Sequence, residues 1–160
     1  MLSHVNNKNL PQMVDVSEKK VTLRTAHARS EVFLPDAIYS LIKSNDLKSK
    51  KGPVFHTAIL AGVMAAKQTG TLIPFCHPIG LEDCRITIEA QGKNIVRIDC
   101  MTKLTSKTGA EMEALVGASI AALTIYDMCK AMSHDIQILN TKLILKTGGK
   151  KDFQREKLKK

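Results

Sequence analysis

The 160-residue chain has no tryptophan, two tyrosines and four phenylalanines. So little aromatic surface leaves few platforms for the base stacking that single-stranded RNA and DNA recognition uses. The four cysteines, at 76, 84, 100 and 129, contain no CxxC pair and are too few for a disulfide-built scaffold. They read as reduced thiols in a cytoplasm. Uncharged stretches such as 57–66 and 114–126 fall short of a bilayer span, and no basic-then-apolar leader with a cleavage site opens the chain. The expectation is a soluble, unexported, cytoplasmic protein without membrane contact. Internal repeats and low-complexity segments are also missing. What remains, 44% hydrophobic and 24% charged residues, suits one compact domain over 1–160, with a polar arm at 1–20 and a basic tail at 147–160.

The net charge of +9 divides unevenly: residues 147–160 carry six cations and two acids, leaving +5 on the body. The tail reads as a solvated end that aids solubility. Nineteen of the 24 cations are lysine. That bias favours point-charge recognition of phosphates over the bidentate arginine contacts of sequence-specific DNA readers. A small anionic ligand fits better than nucleic acid.

Hydrophobic periodicity predicts the order strand, helix, helix, strand, strand, helix, strand. Alternation over 21–34 gives the first strand, stopped by Pro35. Asp36 is expected to cap a short helix with Ile38, Leu41 and Ile42 on one side, followed by a flexible basic loop, DLKSKKGP. A second helix over 57–70 is rich in alanine and glycine, which marks it as buried and able to approach a neighbour closely. Residues 84–90 and 96–101 alternate around the turn QGKN as an antiparallel hairpin. After a loop at 102–109, a long helix runs over 110–132, with Leu115, Ser119, Ala122, Leu123 and Tyr126 tracing one face, and a last strand covers 136–146. The fold class is α+β: a ferredoxin-like antiparallel sheet with helices packed on one face and one extra helix.

Four clusters could carry chemistry. In LIPFCHP, 72–78, His77 and Cys76 sit between two prolines; a zinc site would need further ligands, and the remaining histidines are scattered, so a turn histidine bonded to backbone is the simpler reading. In KTGAEMEAL, 107–115, Glu111 and Glu113 open a helix, where the helix dipole alone accounts for them equally well. Being two apart, they project to different faces. In IYDMCKAM, 125–132, Asp127 and Lys130 share a helix face and could pass protons to a substrate. Spacing alone favours a surface ion pair. Tyr126, Met128 and Cys129 argue for shielding that would lower the lysine pKa. Finally LKTGGKK, 145–151, together with Lys51-Gly52, places lysine beside glycine as phosphate sites do, without the full P-loop pattern GxxxxGK[ST].

Taken in order, PQMVDVSEK, KGPVFHTAILAGVMAAKQT, LIPFCHP, KTGAEMEAL, LTIYDMCKA and LKTGGK make the chain resemble the cyclic pyranopterin monophosphate synthases of molybdenum cofactor (molybdopterin) biosynthesis, from about Met13 to Lys150. The resemblance implies a lyase that converts a cyclised dihydroguanosine triphosphate to a pyranopterin with a cyclic phosphate, releasing diphosphate, with no metal or redox cofactor. It implies Asp127 and Lys130 as the catalytic acid/base pair, with Phe75, Cys76, His77, Glu111, Met112 and Glu113 lining the substrate site. Lys51, Lys67 and Lys146 match lysines near the triphosphate and reacting ring. It also implies a homohexamer, a trimer of dimers with active sites at the dimer interface. The expected ending KTGGKSG is here KTGGKKD, so Lys151 and Asp152 replace Ser and Gly, which bears on how the terminal loop closes. Two alternatives stand beside this reading: a non-catalytic ferredoxin-like nucleotide or RNA binder, and a metal-dependent nucleotide hydrolase using His77 and Cys76.

Overall fold

A computed structural model describes residues 10–155. Its elements are β1 (Thr22–Phe33), α1 (Asp36–Tyr39), β2 (Lys48–Ser49), β3 (Gly52–Pro53), α2 (Val54–Lys67), α3 (Thr69–Leu72), β4 (Asp83–Ala90), β5 (Ile95–Ser106), α4 (Glu111–Cys129), β6 (Gln137–Thr147) and β7 (Phe153–Gln154). The main sheet is antiparallel with strand order β4-β5-β1-β6-β7. Without β7, this is the split βαβ arrangement of the ferredoxin-like plan, with α2 and α4 as its two crossovers. The expected fold class is therefore the observed one.

The core lies where α2 and α4 cover the sheet. β1 turns Ala26, Ala28 and Val32 inward, and β5 turns Val96, Ile98 and Cys100 inward. Leu23 stays half-exposed while Arg24 on the opposite face is buried, donating to the carbonyls of Ser106 (3.4 Å) and Lys107 (3.2 Å). The buried stripe of α4 is Ala114, Gly117, Ala118, Ala121, Ala122, Ile125, Met128 and Cys129. This corrects the predicted face: Leu123 is 52% exposed. The small residues win the inner side because α2 lies close. A Cβ on Gly62 of α2 would stand 2.7 Å from the Gly117 carbonyl oxygen and 2.4 Å from Ile86 Cδ1. Gly62→Ala is expected to lower the denaturation midpoint, because overpacking of about 1 to 3 kcal/mol exceeds the roughly 0.5 to 1 kcal/mol alanine gains in a helix. An unchanged urea midpoint would show that the helices can part freely.

Other boundaries moved. The loop placed at 102–109 is strand as far as Ser106, and the basic loop 46–53 contains the β2–β3 hairpin. The tail is not a loose end through Arg155. Gly148 adopts φ +79°, the turn brings its N–H to Asp152 Oδ1 at 2.9 Å, and β7 folds back on Leu145 and Lys146. Asp152, one of the two departures at the ending, therefore closes this turn. The parts of the arm and tail at 1–9 and 156–160 lie outside the described residues.

By length and hydropathy alone α4 could cross a bilayer, yet half of its apolar stretch is buried inside the fold. It is the core helix of this sheet.

Candidate functional site

At its N-terminal end α4 meets four other segments around a cavity of about 510 Å³. Phe75, Cys76, His77 and Ile79 line it from the segment after α3, Thr108 and Gly109 from the loop entering α4, and Lys146 from β6. Glu111, Met112 and Glu113 come from the first turn of α4, and Val14, Val16 and Lys19 from the arm. Periodicity found no element in that arm, so its three lining residues were missed; the motif PQMVDVSEK was their only trace. The arm is held from the body: His77 Nε2 donates to the Val14 carbonyl oxygen at 2.8 Å and Lys107 Nζ to that of Ser17 at 2.6 Å. The backbone-bonded reading of His77 is the one observed. His77→Ala is expected to speed tryptic cleavage after Lys19 or Lys20 by about fivefold or more through local opening. Equal digestion rates by mass spectrometry would show that other contacts hold the arm.

Glu111 and Glu113 have opposite surroundings, as their two-residue spacing demands. Lys146 Nζ lies 2.9 Å from Glu111 Oε1. Glu113 is only 3% exposed, and no cation pairs with it among the described residues. Burial is the main force pushing its carboxyl up to about 7, with a bond from its own backbone N–H opposing and the charge of Glu111 adding to the rise. Burial, then the Glu113 charge, also raises the Cys76 thiol. The cavity thus presents an ammonium, a neutral thiol and a carboxyl poised near neutrality. Lys67 lines an adjoining cavity of about 370 Å³ that shares Ile79 and Glu113 with the first.

The remaining predicted residues collect elsewhere. At the far end of α4, Asp127 Oδ1 pairs with Lys130 Nζ at 2.8 Å and Asp127 Oδ2 with Lys51 Nζ at 2.7 Å. The hydrogen bonds from Lys130 and then Lys51 hold the Asp127 carboxyl down at about 2, and Asp127 in turn raises the Lys130 ammonium. The expected shielding is absent within one chain: Asp127 and Lys130 are each about half exposed, and the lysine shift runs opposite to the one desolvation would cause. Met128 and Cys129 turn away from the pair because they belong to the buried stripe, and Tyr126 is only partly buried against the core. Fourteen residues of helix, about 21 Å at 1.5 Å per residue, separate Glu113 from Asp127. One chain therefore carries two separate clusters of the candidate residues at opposite ends of one helix. No group of three or more His, Cys, Asp or Glu side chains is arranged to hold a metal among the described residues.

Residues 13–149 match the model of the MoaC family. The chain belongs to that family. It is 50% identical over 152 residues to the cyclic pyranopterin monophosphate synthase of Xanthomonas campestris pv. campestris (strain B100), covering 95% of this chain and 92% of that protein. It is also 51% identical to molybdenum cofactor biosynthesis protein 1 of Dictyostelium discoideum, covering 92% of this chain and 26% of that larger protein. With the molybdenum cofactor biosynthesis bifunctional protein of Synechocystis sp. (strain ATCC 27184 / PCC 6803 / Kazusa), the identity is 48% over 99% of this chain and 47% of the relative. The match to this MoaC family spans both ends of α4, so both clusters lie within the shared region.

Proposed function

We propose that this chain is a cyclic pyranopterin monophosphate synthase, a lyase of molybdenum cofactor biosynthesis acting in the cytoplasm. Its substrate is 3',8-cyclo-7,8-dihydroguanosine triphosphate and its products are cyclic pyranopterin monophosphate and diphosphate. Keeping one phosphate as a cyclic ester while diphosphate leaves requires an oxygen of the substrate to displace diphosphate at the α-phosphorus. That oxygen must lose a proton, and the rearranging ring must gain and lose others. Asp127, ionised between two ammonium groups, is the base, and Lys130 is the acid that its carboxylate keeps charged. Lys146 and Lys67 lie toward Glu113 and suit the triphosphate charge, while Phe75, Cys76, His77, Glu111 and Met112 shape the pocket around the base and sugar.

The observation that carries the rest of the reading is the separation of the half-sites along α4. A single nucleotide does not span about 21 Å, so we place each complete site between two copies, one giving the His77–Glu113 cavity and the other Lys51, Asp127 and Lys130. Large apolar side chains in solvent, Leu60 (67% exposed) and Met64 (60%) on α2 and Leu123 (52%) on α4, support a helical contact face. A hexamer built from such dimers is the assembly proposed. The experiment is incubation of the purified protein with the cyclised guanosine triphosphate, with detection of pyranopterin and diphosphate. Absence of both products from a folded, oligomeric sample would overturn the reading.

A further inference from the structure

Helix α2 begins after Pro53, which offers its first turn no side-chain acceptor. The free N–H groups there need one from elsewhere. Asp46 supplies it from the preceding loop. Its Oδ1 accepts from the backbone N–H of Phe55 at 2.7 Å and of Leu47 at 2.6 Å, and its Oδ2 pairs with Nδ1 of His56. The Asp46 side chain is 12% exposed, whereas His56 reaches 74%. Burial raises the Asp46 carboxyl, but the bonds from the His56 ring and from the N–H groups of Phe55, Leu47 and His56 outweigh it and leave the group below the ordinary aspartate range. An ionised carboxylate is thus built into the base of this loop.

The same loop carries Lys51. Leu47 is fully buried and its carbonyl accepts Val54 N–H at 2.7 Å. From there Lys48 pairs with Pro53, and Ser49 Oγ takes Lys51 N–H at 3.1 Å. Lys51 itself is half exposed, and its ammonium reaches Asp127 Oδ2 at 2.7 Å and the Asp127 carbonyl oxygen at 3.1 Å. A long, solvated side chain of this kind is held by the backbone it hangs from.

We propose that Asp46, clasped by His56, is a positioning residue that anchors loop 43–53 to the start of α2 and thereby holds the Lys51 ammonium against Asp127. Its effect on turnover rests on the reading of Asp127 and Lys130 as the reacting pair; its effect on Lys51 does not.

The test is the titration midpoint of the Asp127 carboxyl, followed by carbon-13 NMR in the full-length protein, alongside turnover. Lys51→Met is expected to raise that midpoint by about 0.5 pH unit or more by removing one ammonium. Asp46→Ala should raise it in the same direction and add nothing when combined with Lys51→Met. Asp46→Asn keeps one acceptor oxygen for the helix N–H groups and should recover part of the shift. For turnover, kcat falls about ten- to a hundredfold in Asp46→Ala, with KM nearly constant, as misplacement of a reacting group predicts. An Asp127 midpoint unchanged by Asp46→Ala, or a shift fully additive with that of Lys51→Met, overturns the inference. Where Asp46→Ala does not fold, Asp46→Asn and His56→Gln are read by the same two outcomes. A wild type that forms no pyranopterin counts against the functional reading instead, and the midpoint series still decides the clasp.

Discussion

Asp127→Asn is expected to lower kcat by about 10³-fold, within the range for loss of a general acid/base group, while leaving the fold intact. Asp127 is half exposed and outside the buried stripe of α4, so the amide costs little packing. As the proposed base, it would lose its chemistry in two ways. The amide cannot accept a proton, and it no longer holds the Lys130 ammonium in its raised, charged state. Lys51 and Lys130 are then two like charges without their shared counterion. Placing the complete site between two copies gives a sharper consequence. Mixing Asp127→Asn with Glu113→Ala subunits, each inactive alone, leaves one intact and one doubly damaged site in every mixed dimer. Random pairing makes half the dimers mixed, so activity should return to about a quarter of wild type. Subunits refolded or co-expressed together, with both variants inactive separately, provide the measurement. No recovery would place both half-sites of a working centre within one chain.

A second large effect belongs to Glu113. Its carboxyl ionises near 4.5 in an unfolded chain and near 7 in the folded one. Between those values the native state holds a proton that the unfolded state has lost. The stability this confers is complete below about pH 4.5 and is lost as pH rises through 7, a change on the order of 3 kcal/mol. Glu113→Gln keeps the shape of the neutral acid and cannot ionise, so it should flatten this part of the profile. At pH 8 it should melt roughly 5 °C or more above wild type. Ligand binding follows the same sign. Above pH 7 a carboxylate lining the cavity opposes a triphosphate, so wild-type KM should rise between pH 6 and 8 while that of Glu113→Gln changes little. Parallel curves for the two proteins, in melting and in KM, would show that Glu113 does not ionise in this range.

Much of this molecule was legible in local pattern. Period-two alternation marks β1, β4 and β5, and the alanine-rich helices stand out by composition, because backbone geometry imposes those periods wherever one side is buried. Which side is buried was less legible. Leu115, Leu123 and Tyr126 trace as good a stripe on α4 as the alanines do, and only the approach of Gly62 to Gly117 selects the small-residue face. The boundary after β5 was missed because Thr102 and Leu104 are inward-facing strand residues in a segment whose lysines, serine and glycine suggest a loop. The turn from Gly148 to Asp152 looked like part of a charged tail, since its closure depends on one side chain bonding to a backbone N–H across the turn.

The residues of the candidate site were nameable from their motifs, and the sequence by itself also determined that Glu111 and Glu113 diverge, that Asp127 and Lys130 share a face, and that Glu113 and Asp127 lie far apart if one helix carries both. Those are consequences of helical spacing, which needs no partner element. Tertiary structure alone decided the environments. It buried Glu113 without a cation, left Asp127 in water between Lys51 and Lys130, tied the arm to His77, and put Asp46 under the first turn of α2. Charge state and position at these points depend on desolvation and on contacts between segments far apart in the chain, and no local pattern encodes either.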